Sequence, residues 1–149
     1  MYTRIISTGT YLPEKVLTND ELEKTVNTSD DWIRSRTGIE SRHIAADGEF
    51  TSHLAEKAAY KALEAADLVP ADIDLIVVGT CTPDRMFPNV ACLLQERMGI
   101  TGPAFSLEAA CSGFVYALTV AGSIFMFWEI KTCPCYWCRD YVSPNRLDR

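Results

Sequence analysis

Cys111 is the residue best placed to do chemistry. It lies in Phe105-Ser-Leu-Glu-Ala-Ala-Cys111-Ser-Gly-Phe, where a short strand ends, two alanines follow and a long apolar helix begins. A thiol at a helix N-terminus faces unpaired backbone amides and the positive end of the helix dipole, and both favour thiolate over thiol. Ala109, Ala110 and Gly113 keep bulk away from the sulfur, as an attacking nucleophile requires. The same position also suits a buried structural cysteine, and residue chemistry alone leaves both readings open. Cys81 and Cys92 sit in apolar surroundings and read as buried thiols. His43 and His53 both precede Cys111 and fit no catalytic pattern, so they read as surface or core residues.

An elbow of this kind needs a sheet beneath it. Ile73-Asp-Leu-Ile-Val-Val-Gly79 is a mostly apolar run and predicts a strand covered on both faces, as in a parallel sheet. Residues 103–107 predict a second strand, and Ser112 to about Phe127 a nearly all-apolar helix buried inside the domain. Leu54, Ala58, Ala62 and Ala66 recur at helical spacing over 51–68, where Pro70 ends the pattern. Asn89 to Met98 predicts another helix, stopped by Gly99. Upstream, residues 4–9 predict a β-branched strand closed by Gly9 and Pro13. Thr18-Asn-Asp-Glu21 has capping-box spacing. Thr28-Ser-Asp-Asp31 repeats the signal before a short helix that Gly38 stops, and residues 39–45 predict a strand. The order βααβαβαβα specifies an α/β layered fold with parallel strands.

Composition narrows the function classes. Apolar residues at 48% against 23% charged describe a globular chain and exclude a disordered or collagen-like one. A length of 149 residues accommodates one domain with a real core. A net charge of −6 argues against nucleic acid or an anionic membrane as partner. The apolar run at Ile73 to Val78 is too short to span a bilayer. The opening MYTRIISTG has neither the basic stretch nor the apolar block of a secretory signal, so a cytoplasmic location is expected.

Four stretches carry a resemblance: IISTGTYLPE, TSDDWIRSRTGIESRHIA, DLIVVGTCTPDRMFPNVACLLQERMG and AACSGFVYALTVA. In this order they make residues 1–127 resemble the N-terminal half of β-ketoacyl-acyl carrier protein synthase III, a condensing enzyme. The resemblance implies the first half of a thiolase-like fold, a layered α-β-α arrangement around a mixed, largely parallel sheet. It implies that Cys111 takes the acyl group of a short acyl-CoA as a thioester. Malonyl-acyl carrier protein then decarboxylates, and its carbanion attacks that thioester in a Claisen condensation. Covalent catalysis splits one hard step into two, with no cofactor or metal. It implies that Trp32, Arg36 and Thr37 hold the nucleotide of CoA, the indole stacking on adenine and the guanidinium meeting phosphates. Otherwise Trp32 packs on its own helix and Arg36 pairs with Asp31 or Glu40. It implies that Phe87 crosses a homodimer interface to line the partner's acyl pocket; otherwise it is a loop aromatic in the core. The family's His and Asn, which stabilise the developing enolate, belong to its carboxy-terminal half and match nothing here. The chain therefore reads as a truncated form inactive for condensation, the alternative class being a non-catalytic fragment.

Composition breaks near residue 130, with a net +2 from Lys131 onward and −8 before it. Residues 1–130 are read as the family domain and 131–149 as a divergent tail. Cys133, Cys135 and Cys138 could be read as a zinc cluster or a redox pair, but three ligands within six residues make a poor tetrahedral site. A third reading is a shifted reading frame. Trp137 requires TGG, so moving the frame one base forward forces glycine there, and Pro134 to Ser143 can become LVIGAETMSR. Sequencing the gene across codons 130–150 decides it.

Overall fold

The structure is a computed structural model that describes residues 3–127 and 132–137, the last three by their backbone alone. The described residues divide into two compact units, one holding 3–11, 50–127 and 132–137, the other 12–49.

The larger unit is built on a three-stranded parallel sheet. Its strands are β3 (Ile76–Gly79), β4 (Ala104–Leu107) and β5 (Cys135–Trp137), in the order β4-β3-β5. Three helices accompany it: α3 (Thr51–Ala66), α4 (Val90–Met98) and α5 (Gly113–Phe127). Side chains alternate across β3. Ile76 and Val78 pack with Ala55, Ala59 and Leu63 of α3 and with Val90, Ala91, Leu94 and Met98 of α4. Leu75 and Val77 pack with Ala117 and Ala121 of α5. This makes three layers, α-β-α, and explains why β3 lacks polar alternation: both its faces are interior. Leu94 is fully buried in the first of these clusters. Leu94→Ala is expected to cost about 2–5 kcal/mol, read as a lower midpoint in urea unfolding with an unchanged slope.

Two helix ends follow the sequence signals closely. Asn89 caps α4 by accepting the Cys92 amide at 3.1 Å, and Gly99 closes it at φ 66°. The expected stripe on α3 is shifted, because the helix has two contact faces. Ala55, Ala59 and Leu63 meet the sheet. Ala58 and Ala62 meet the N-terminal segment, where Ser7 Oγ donates to the Ala62 carbonyl at 2.8 Å and a Cβ on Gly9 would stand 2.2 Å from the Ala58 oxygen.

Three expectations are corrected here. Residues 4–9 form no strand; they run beside α3, and no described strand pairs with them. β-branched composition makes a backbone extended, but a strand also needs a partner. Next, α5 is not an enclosed helix. It buries only Gly113, Ala117 and Ala121, while Val115 is 60% and Phe127 81% exposed. Finally, Ala110–Phe127 is an uncharged 18-residue helical stretch of mean hydropathy 1.7, long and apolar enough to cross a membrane. It is far longer than the apolar run at Ile73 to Val78, on which the expectation of no membrane span rests. Here its small-residue stripe packs on β3, and only 17% of the stretch is buried.

The smaller unit pairs β1 (Lys15–Thr18) with β2 (Ser41–Ile44) in antiparallel register, so not every strand is parallel. Between them lie α1 (Asn19–Glu23) and α2 (Asp30–Thr37). Thr18 and Glu21 form the expected capping box: the Thr18 hydroxyl accepts the Glu21 amide at 3.3 Å, and the Glu21 carboxylate accepts the Thr18 amide at 3.0 Å. The cap of α2 is Ser29 rather than Thr28, its Oγ accepting the Trp32 amide at 3.1 Å. Gly38 ends α2 at φ 71°.

Candidate active site

Parallel strands send their C-terminal ends to one edge of a sheet, the usual place for chemistry in open α/β layers. In the larger unit that edge carries the loop after β3, with Cys81 and Phe87, and the turn after β4, with Cys111. Past the strands, the Thr80 amide donates to the Leu107 carbonyl at 3.2 Å and holds the two loops together at their roots.

Cys111 lies in a 3-10 turn, Ala110–Ser112, that leads into α5, and α5 itself begins at Gly113, one residue later than the expected start at Ser112. The turn is closed by the Ser112 amide donating to the Ala109 carbonyl at 2.9 Å. Ala110 has φ 43°, the left-handed region that an L-residue enters only at a cost of about 1–2 kcal/mol. Strain of this order persists where surrounding structure imposes it. The constraint is visible next door. A Cβ on Gly79 would stand 2.9 Å from the Gly113 carbonyl carbon and 3.0 Å from its oxygen, so β3 and the start of α5 meet backbone to backbone. The sharp turn leaves Cys111 exposed. Cys81 is exposed too and Cys92 is half-buried, so Cys81 and Cys111 are not the interior thiols that apolar neighbours suggested.

The loop carrying Phe87 is fastened on both sides. Thr51 Oγ1 donates to the Thr82 carbonyl at 2.5 Å, while the Ser52 amide and hydroxyl donate to the Asp84 carboxylate at 2.9 and 2.5 Å. On the far side, Asn89 Oδ1 accepts from Ser106 Oγ at 3.3 Å as well as capping α4. Between these anchors Phe87 stands 82% exposed, which removes core packing as its role. Asp84 was not singled out in the sequence, because its partner at Ser52 is 32 residues away and no local pattern joins them.

In the smaller unit Trp32 is 53% exposed, and the Arg36 guanidinium lies 4.5 Å from the centre of its indole ring. Spacing of i, i+4 on α2 stacks these two side chains. It is Arg34, not Arg36, that bonds Glu40, at 2.8 Å. Thr37 serves the end of the helix: its Oγ1 donates to the Ile33 carbonyl at 2.8 Å and accepts the Ile39 amide at 3.1 Å. His43 Nδ1 donates to the Pro13 carbonyl at 2.5 Å, and His53 Nδ1 accepts the Phe50 amide at 3.0 Å. Both histidines thus serve local structure. Among the described residues no group of three or more His, Cys, Asp or Glu side chains could hold a metal. Of the tail cysteines, Cys133 is half-buried, and Cys138 lies outside the described residues.

No protein-family model matches the chain. Its curated relatives include the β-ketoacyl-[acyl-carrier-protein] synthase III of Xylella fastidiosa strain 9a5c, 66% identical over 122 residues, and that of Xanthomonas campestris pv. campestris strain 8004, 60% identical over 133. The crystal structure of 3-oxoacyl-[acyl-carrier-protein] synthase III from Aquifex aeolicus superposes with a TM-score of 0.87 at 42% identity, over 97% of this chain. This chain corresponds to the N-terminal part of a β-ketoacyl-[acyl-carrier-protein] synthase III. The match to the synthase III relatives takes in 81% and 89% of this chain but only 38% and 41% of theirs, and 49% of the Aquifex chain. The fold is accordingly the synthase III, thiolase-like one, seen over less than half its length.

Proposed function

We propose that this chain carries the acyl-accepting half-reaction of a 3-oxoacyl-acyl carrier protein synthase III, with Cys111 as the acyl acceptor. The observation that carries the reading is the exposed thiol on a strained turn at the C-terminal edge of a parallel sheet. Cys111 Sγ attacks the thioester carbonyl of a short acyl-CoA; the new carbon–sulfur bond forms on Cys111 and the CoA sulfur leaves with a proton. Trp32 and Arg36 offer the CoA nucleotide a plane and a positive charge, and Thr37, next to Arg36, adds only an acceptor lone pair because its hydroxyl proton goes to the Ile33 carbonyl. No cofactor enters beyond the thioester itself. Acyl carrier protein and a second synthase chain are the partners of the complete condensing reaction, which takes place in the cytoplasm, and Phe87 is the contact to that second chain.

Mass spectrometry after incubation with a short acyl-CoA is expected to place the acyl group on the peptide containing Cys111, and Cys111→Ser to remove it. An adduct spread equally over Cys81, Cys92 and the tail cysteines would defeat the assignment, because those thiols lack the elbow. The second reading, a fragment with no chemistry, is favoured if Cys111 is no more reactive than they are.

A further inference from the structure

We propose that Asn19, locked by Arg42, is a positioning residue that presents the Trp32–Arg36 face of α2 to a nucleotide; this rests on the nucleotide reading of that face. Asn19 is a polar side chain 1% exposed, and every hydrogen-bonding group of its amide is used. Nδ2 donates to Asp30 Oδ1 at 2.6 Å and to the Ile39 carbonyl at 2.8 Å. Oδ1 accepts from Arg42 Nη2 at 2.6 Å.

The two donor bonds reach opposite ends of one helix. Asp30 is the first residue of α2, and Ile39 follows its Gly38 cap. A single amide therefore fixes both where α2 begins and where it ends. Arg42 extends the lock to the sheet: from β2, its Nη1 also donates to the Leu17 carbonyl of β1 at 3.2 Å. The Asn19 amide donates to the Glu40 carbonyl at 3.2 Å, completing a link among all four elements of the smaller unit.

The opposite side of α2 explains why this matters. Trp32 and Arg36 lie in the open, and their stacking is worth only about 0.5–1 kcal/mol at an exposed site. Such a pair cannot fix the helix that carries it. The buried hub can, because removing one partner leaves the others unsatisfied away from water.

The test uses the full chain with Trp128→Phe and Trp137→Phe, which leaves Trp32 as the one tryptophan among the three. Acrylamide quenching reads how well Arg36 shields the indole, and CoA titration reads nucleotide affinity. Arg36→Ala is expected to raise quenching and abolish the CoA response. Asn19→Ala is expected to raise quenching toward the Arg36→Ala level and weaken CoA binding about tenfold. In the Arg36→Ala background Asn19→Ala should add nothing to quenching, since it acts through that pair. Arg42→Lys keeps the cation but loses the fork, and should shift both readouts in the same direction by less. It carries the test if Asn19→Ala does not fold. Folded variants that melt lower but leave Trp32 shielding and CoA affinity unchanged would reduce Asn19 to a stability residue and overturn the proposal. If the parent chain shows no saturable CoA response, the nucleotide reading falls alone, and acrylamide quenching still decides whether Asn19 positions the pair.

Discussion

Given a short acyl-CoA and malonyl-acyl carrier protein, the purified chain is expected to release no carbon dioxide above that of the Cys111→Ser variant. The resemblance assigns decarboxylation to a His and an Asn that hydrogen-bond the thioester oxygen as charge develops on it. The chain's own histidines are spoken for: His43 holds the Pro13 carbonyl and His53 the Phe50 amide, in the sequence before Cys111. Losing a single oxyanion donor costs on the order of a hundredfold to a thousandfold in rate, and the resemblance matches neither group to a residue of this sequence. Acyl uptake on Cys111 draws on the elbow alone in the reading proposed above and is expected to survive. Carbon dioxide release well above the Cys111→Ser control, from a sample free of any full-length synthase, would show that this chain decarboxylates malonyl-acyl carrier protein on its own and would overturn the inactive reading.

The second large effect is on solution state. The exposed side of α5 carries Phe114, Val115, Tyr116, Val120, Met126 and Phe127. A contiguous apolar face of this kind on a small unit drives association. The chain is expected to elute as an associated or aggregating species at micromolar concentration. Val115→Lys with Val120→Lys should shift it toward monomer without lowering its helix content. Neither side chain is fully buried, so the substitutions cost the core little. A monodisperse monomer from the unaltered chain would count against the bare-face reading.

Much of the larger unit was legible because its signals are local. Asn89 and Gly99 bracket α4 by cap chemistry that operates within a few residues. The apolar run ending at Gly79 marked a two-faced strand, and the alternation of Ile76 and Val78 against Leu75 and Val77 supplied the reason. The elbow at Cys111 could be read from small residues beside a strand end, although the left-handed Ala110 could not. What stayed hidden depends on partners far along the chain. Residues 4–9 have strand composition and no strand to join. Lys15–Thr18 pairs with Ser41–Ile44, and beside that pairing Arg42 bonds Asn19, a meeting that leaves no periodic trace. The helix at 113–127 has a composition that demands cover on all sides, whereas cover is supplied only along Gly113, Ala117 and Ala121.

The sheet order also sets how this protein must fold. Ile76 in β3 pairs with Ala104, and Val77 pairs with Cys135, so the middle strand is the first of the three in the chain. As the polypeptide leaves the ribosome, its most apolar strand waits with two open edges until both neighbours have been synthesised. Loop closure over such separations is paid in entropy before any contact repays it, which makes parallel pairing slow. Residues 12–49, by contrast, close on themselves over a short span. The smaller unit is therefore free to form during synthesis, while the strand beneath Cys111 passes through a period in which its unpaired edges can capture another chain.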